Sequence, residues 1–265
     1  VSQNSHTIKR KQCLVKCIVI YLISSVLCLV FVYIFTDEWN STLSQIFSEL
    51  ITIIFVIIFC SSELKYMLNY LNSRYILTFR SIVCFIGIGI TYNLIVDTVD
   101  QILKLYKYIP DSKTYFEFIN SLNYSGIKFG LIVLAIGIVG PIIEEVIFRG
   151  LLLEIFMNKL NITVAVLLDA FIFAVFHGNL YQGFYAFTFG ILVCFFYLWT
   201  RTIIVPIIIH ISANTFTLFM KNVSINSKLV FILFLASLIF FTRTIFIFYK
   251  LSLLNKRNNH MLARK

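Results

Sequence analysis

From Ile127 to Asn158 the chain reads IKFGLIVLAIGIVGPIIEEVIFRGLLLEIFMN. A spanning helix needs roughly 20 apolar residues, and this run is longer than one straight span requires. Pro141, preceded by Gly137 and Gly140, removes a backbone donor and crowds the turn before it. A kink or break is therefore expected there, and the run is read in two parts. Just beyond the proline stand Glu144, Glu145 and Arg149. A charge at the bilayer centre costs roughly 2.5–3.5 kcal/mol on insertion scales, so such residues face a bundle interior and have a task there.

Working outward, the rest of the 265 residues has the same character. The chain is 60% apolar, 17% aromatic and 13% charged, with a mean hydropathy of +0.92. A soluble domain draws on about 25% charged residues for its surface; half that supply suits a surface facing lipid. Further apolar runs cover Cys17–Phe35, Ile46–Cys60, Ile76–Val96, Ile162–His177, Tyr185–Thr200, Ile203–Met220 and Leu229–Phe248. Ile46–Cys60 is short and interrupted by Glu49. Helices satisfy their own backbone in lipid, so the expected fold is all-α, a polytopic transmembrane helical bundle of about eight (7–9) spans. Residues 1–126 form N-terminal transmembrane helices, 127–220 a core that carries the chemistry, and 221–265 the last transmembrane helix with a basic tail. The first run is read as a retained anchor, because Asp37-Glu38-Trp39 replaces the small residues of a cleavage site.

The net charge of +10 does not mark a nucleic-acid binder. Lys9, Arg10 and Lys11 precede the first run, and Lys250, Lys256, Arg257, Arg264 and Lys265 follow the last. Basic residues flanking spans mark the cytoplasmic side and meet anionic headgroups there. A multi-pass protein of the cell membrane with both termini cytoplasmic is expected. Cys13, Cys17, Cys28, Cys60, Cys84 and Cys194 form no CxxC pair and are read as inert thiols.

The chemistry-bearing residues cluster. Of four histidines, His6 and His260 lie in the polar tails, leaving His177 and His210 within spans. Glu145 and Arg149 are four apart, share a helix face and can neutralise each other. Glu144 is rotated roughly 100° away; a carboxylate without a partner can take up and later return a proton. Phe173 and His177 share a face, as do His210 and Asn214. The last pair stacks two hydrogen-bond donors, as an oxyanion needs. At 1.5 Å per residue, the depths of Glu144, His177 and His210 in their runs allow one shared cavity.

Glu-Glu-x-x-x-Arg, Phe-x-x-x-His and His-x-x-x-Asn, in this order on successive helices, resemble the CPBP family of CAAX-type prenyl endopeptidases and bacteriocin-processing or immunity proteins, also called Abi. The resemblance covers Ile127 to Phe216 and implies a glutamate-dependent intramembrane endopeptidase acting on a membrane-associated peptide or protein. It implies that Glu144 and His177 activate a water, that His210 and Asn214 stabilise the oxyanion, and that Glu145 and Arg149 form a supporting ion pair. Phe173 would be a wall of the cavity. No cofactor, metal or nucleic-acid partner is expected.

Other readings stand beside this one. The ionisable residues could pin helices together, and Glu145 with Arg149 fits that role well. Two acids and two histidines could hold zinc, although the HExxH spacing is absent. The scaffold could serve a non-enzymatic immunity or regulatory protein. A proton-coupled transporter is the remaining alternative, but no internal repeat of the kind many transporters show is visible. Asp169, about 12 Å along the axis from His177, is read as a hydrogen-bonded core aspartate or part of an access path. Glu49, Asp97, Asp100, Glu154 and Arg243 are read as interface or helix-packing charges. The Asn-x-Ser/Thr triplets at Asn40, Asn123, Asn161 and Asn222 are given no meaning.

Overall fold

The computed structural model describes residues 77–121, 126–220 and 227–262, with isolated positions at 12, 51, 54 and 58. The expected span Cys17–Phe35 lies outside the described residues, as does Ile46–Cys60 apart from helical Ile51, Ile54 and Ile58. So do Glu49, Asn40, Asn123, Asn222, the outer four cysteines and the basic residues at the extreme ends.

The described chain is helical and holds no strand. Helix α1 is Phe79–Leu103 and α2 is Ser112–Ser121. Residues 126–157 form one long rod, α3. After it come α4 (Ile162–Phe176), α5 (Leu180–Thr200), α6 (Ile204–Met220) and α7 (Ser227–Leu262). Phe79–Leu103, Phe129–Met157, Leu180–Thr200 and Leu229–Ile247 are long and apolar enough to cross a membrane, and α4 and α6 are shorter apolar helices. The polarity is that of a membrane protein. Phe79, Ile127 and Ile239 project outward, while Glu145, Arg149 and Asp169 are wholly buried. Water would penalise that distribution; lipid favours it.

The expected break at Pro141 is not found. The rod stays helical by widening on either side of it, into π-helical stretches at Val133–Val139 and Val146–Leu153 that flank an α-helical turn, Gly140–Glu145. The Gly140 N–H bonds Ala135 O, five residues back, and the looser turn makes room for the proline ring. Glu144 and Glu145 thus occupy a short α-turn between two widened segments.

Sequence detail sets the other ends. Thr78 and Ser81 cap α1 reciprocally. The Asn161 side chain accepts from Val164 N and caps α4, a role hidden in a triplet that carried no meaning as a sequence pattern. Gly178, at φ +64°, adopts the left-handed conformation that ends α4. Asn179 then caps α5 through Gln182 N, so this helix begins at Leu180 rather than Tyr185.

Small residues let the helices approach closely. Gly89 of α1 lies against Ile209 O and Ser212 of α6, with no room for a Cβ. Gly190 of α5 faces Ala170 of α4, where an added Cβ would be 3.1 Å from its Cα. Across the bundle, Tyr181 and Tyr185 donate to Asp100 at 2.9 and 2.6 Å, and Tyr197 donates to Glu154 at 2.7 Å. Asp100 and Glu154 are therefore packing charges, each engaged by tyrosine, whereas Asp97 and Arg243 are exposed.

Candidate active site

The core is organised around Arg149. Its Nη1 donates to Glu145 Oε1 at 3.1 Å and its Nη2 to Gly190 O at 3.2 Å, while Nε lies 3.5 Å from Asp169 Oδ2. The guanidinium also sits over the Phe173 ring, 4.5 Å from its centre. Asp169 in turn accepts from the Cys194 thiol at 3.3 Å. Helices α3, α4 and α5 are thus joined by one fully buried cation with two carboxylates. Asp169 is a core aspartate, and its counter-ion is Arg149.

Two neighbouring glutamates diverge from here. Glu145 is wholly buried, and its Oε1 also receives His210 Nδ1 at 2.7 Å. Glu144 is half-exposed, with its Oε2 3.6 Å from His210 Nε2. The imidazole of α6 therefore bridges the two acids of α3. Because Glu145 Oε1 already accepts from arginine, Nδ1 is the donor in its bond, and Nε2 is the atom turned toward Glu144.

His177 is held differently. Its Nδ1 lies 2.8 Å from Phe173 O. A carbonyl only accepts, so Nδ1 donates and Nε2 is left for a partner outside the helix. Phe173 stands edge-on to both histidines, with ring centres 4.8 Å from His177 and 5.9 Å from His210. Asn214 donates to Ile136 O at 3.1 Å, a carbonyl in the first π-helical stretch, which leaves its second amide proton uncommitted.

Phe173, His177, His210 and Asn214 line one cavity of about 170 Å³. The structure thus brings together the histidines, the asparagine and the phenylalanine. Glu144 reaches this group through His210 and makes no hydrogen bond with His177. Among the described residues, no three His, Cys, Asp or Glu side chains converge as metal ligands would.

Sequence reasoning did not find further polar residues that line the cavity: Asn93 of α1, Tyr115 of α2, and Gln182 and Tyr185 of α5. Asn93 within the run Ile76–Val96 was an available signal, whereas Tyr115 and Gln182 lie outside the apolar runs. The Tyr115 phenol is pushed up to about 12, by desolvation first and then by the charges of Asp97 and Asp100. It therefore remains a neutral hydrogen-bonding group at neutral pH.

Residues 126–216, the stretch that carries all three motifs, match the family model described as Type II CAAX prenyl endopeptidase Rce1-like. Two bacterial proteins are similar. One, from Bacillus subtilis and named as a membrane peptidase, YdiL, is 35% identical over 91 residues, which is 34% of this chain and 37% of that protein. The other, the membrane-embedded CAAX protease MroQ of Staphylococcus aureus, is 28% identical over 95 residues, covering 34% of this chain and 38% of its own length. The matches span little more than a third of either relative. No solved structure matches the chain significantly.

Proposed function

We propose that this membrane protein is a glutamate-dependent intramembrane endopeptidase that hydrolyses a peptide bond in a membrane-associated peptide or protein. One observation carries the reading: side chains of α4 and α6 bearing uncommitted hydrogen-bonding atoms meet at one cavity, beside a half-exposed carboxylate of α3. The likeness of residues 126–216 to a peptidase family agrees with it.

In this mechanism a water lies between Glu144 and His177 Nε2. Glu144 removes its proton as the oxygen attacks the peptide carbonyl. The tetrahedral oxyanion receives hydrogen bonds from the free amide proton of Asn214 and from His210 Nε2 when that atom carries a proton. Glu144 then returns the proton to the departing amine, and the C–N bond breaks. Glu145 holds His210 through Nδ1, and Arg149 with Asp169 holds Glu145. The chemistry runs on side chains alone and requires no metal or cofactor. The protein resides in the cell membrane with both termini in the cytoplasm, and a prenylated or otherwise lipid-anchored peptide is the substrate class the family description suggests.

The test compares peptides released by cells expressing the wild type, Glu144→Ala or His177→Ala at matched membrane levels. A peptide released by the wild type and lost in both variants is the expected result, and it identifies the substrate. Identical peptide profiles, with an unchanged cellular phenotype, would overturn the reading.

A further inference from the structure

The amide of Asn93 is fixed from two sides. It lies 2.6 Å from Ala213 O and 2.9 Å from Thr217 Oγ1, both on α6. A backbone carbonyl only accepts, so the group facing Ala213 must be the nitrogen. The Thr217 hydroxyl donates its own proton to the same Ala213 O at 3.1 Å, so it too accepts from Asn93. Both amide protons are committed to α6, and the oxygen has no partner among the described residues.

Asn93 also lines the cavity, and the carbonyl it grips belongs to the residue just before Asn214. Asn214 offers a proton and Asn93 an oxygen to the same cavity, and Asn93 is tied to the backbone of the residue next to Asn214. A peptide in extended conformation presents C=O and N–H groups in alternation. A substrate whose scissile carbonyl approaches Asn214 therefore brings a neighbouring N–H within reach of Asn93. No other polar atom of Asn93 remains to serve the cavity, and α1 lies outside the stretch matched by the family model.

We propose that Asn93 is a substrate-binding residue whose amide oxygen accepts a hydrogen bond from a backbone N–H of the bound peptide, within one residue of the scissile bond. This rests on the peptidase reading. The close approach at Gly89 holds α1 against α6, so the acceptor keeps its register with Asn214.

The experiment uses the synthetic precursor of the peptide whose release depends on Glu144, with purified full-length protein in lipid nanodiscs. The precursor is N-methylated in turn at each amide around the cleavage site. In the wild type, one position should raise KM about tenfold, the effect of one lost hydrogen bond. In Asn93→Ala that penalty should vanish, the parent precursor's KM having risen by a similar factor with kcat little changed. Asn93→Ser, which removes the amide oxygen but keeps a small polar side chain between the helices, is the second variant should Asn93→Ala fail to fold. Thr217→Val removes one bond between α1 and α6 while sparing the Asn93 oxygen, and should keep the penalty. The same methylation profile in wild type and in the folded Asn93 variant would overturn the proposal, as would loss of the penalty in Thr217→Val. If no Glu144-dependent peptide exists, it is the peptidase reading itself that fails.

Discussion

The site has two walls of opposite character, one behind the cavity's lining and one within it. Behind His210 lies a buried wall, where Glu145, Arg149, Asp169 and Cys194 are bonded to one another. Lining the cavity itself, Asn93, Tyr115, Gln182 and Tyr185 are only half-buried. Both walls are polar, yet their physics differs. A buried charge without its counter-ion is severely destabilising, and every member of the buried wall is bound to its neighbours. The half-buried wall holds groups that a cavity occupant can engage at small cost. Glu144 and Glu145, adjacent in sequence, fall on either side of this divide. Under the proposed mechanism, the charged cluster holds the machinery in place and the exposed groups operate it.

The sharpest way to separate the two walls is His177→Ala. It should lower turnover about 10²–10⁴-fold and leave the unfolding temperature in detergent close to that of the wild type, as activity assays and thermal melts on one preparation would show. A collapse of the fold instead would erase the distinction. Arg149→Met strikes the other wall. It leaves the buried carboxylates of Glu145 and Asp169 without their shared cation and should cost about 3–5 kcal/mol, read as poor accumulation in membranes and a lower melt. Near-normal accumulation would mean the buried charges hold little.

Gly89→Val should cost about 1–3 kcal/mol by overpacking, because a Cβ there meets Ile209 O and Ser212. It should also weaken substrate affinity, since α1 carries Asn93 away from α6; a melt paired with KM checks both effects. The smallest change expected is in Tyr185→Phe, which leaves Asp100 with Tyr181 as its remaining tyrosine donor. About 1.5–3 kcal/mol is typical for a hydrogen bond to a charged group, and the half-exposed position brings the loss to the low end, measurable by chemical denaturation.

How much of this was legible in the sequence depends on where each signal is written. The i, i+4 pairs Glu145–Arg149, Phe173–His177 and His210–Asn214 lie along single helices, so their spacing alone exposed them. The helical class was equally legible, since apolar length and lack of charge decide it. Contacts between helices were not. Nothing in the spacing joins Asp169 to Arg149, or His210 to Glu145, because those pairs arise from packing. Asn93 was overlooked for the same reason: one asparagine in an apolar helix acquires meaning only beside Ala213 and Thr217. Pro141 suggested a break, but the helix continues through it by widening on either side. The start of α5 was readable after all, since Asn179 precedes Leu180 as an ordinary cap.

The most direct test sets Glu144→Gln beside Glu145→Gln in purified protein, measuring cleavage of the Glu144-dependent precursor and the thermal melt together. Glu144→Gln should abolish cleavage while melting as the wild type does, and Glu145→Gln should lower the melt as well as the rate. Cleavage at the wild-type rate by Glu144→Gln would contradict the account.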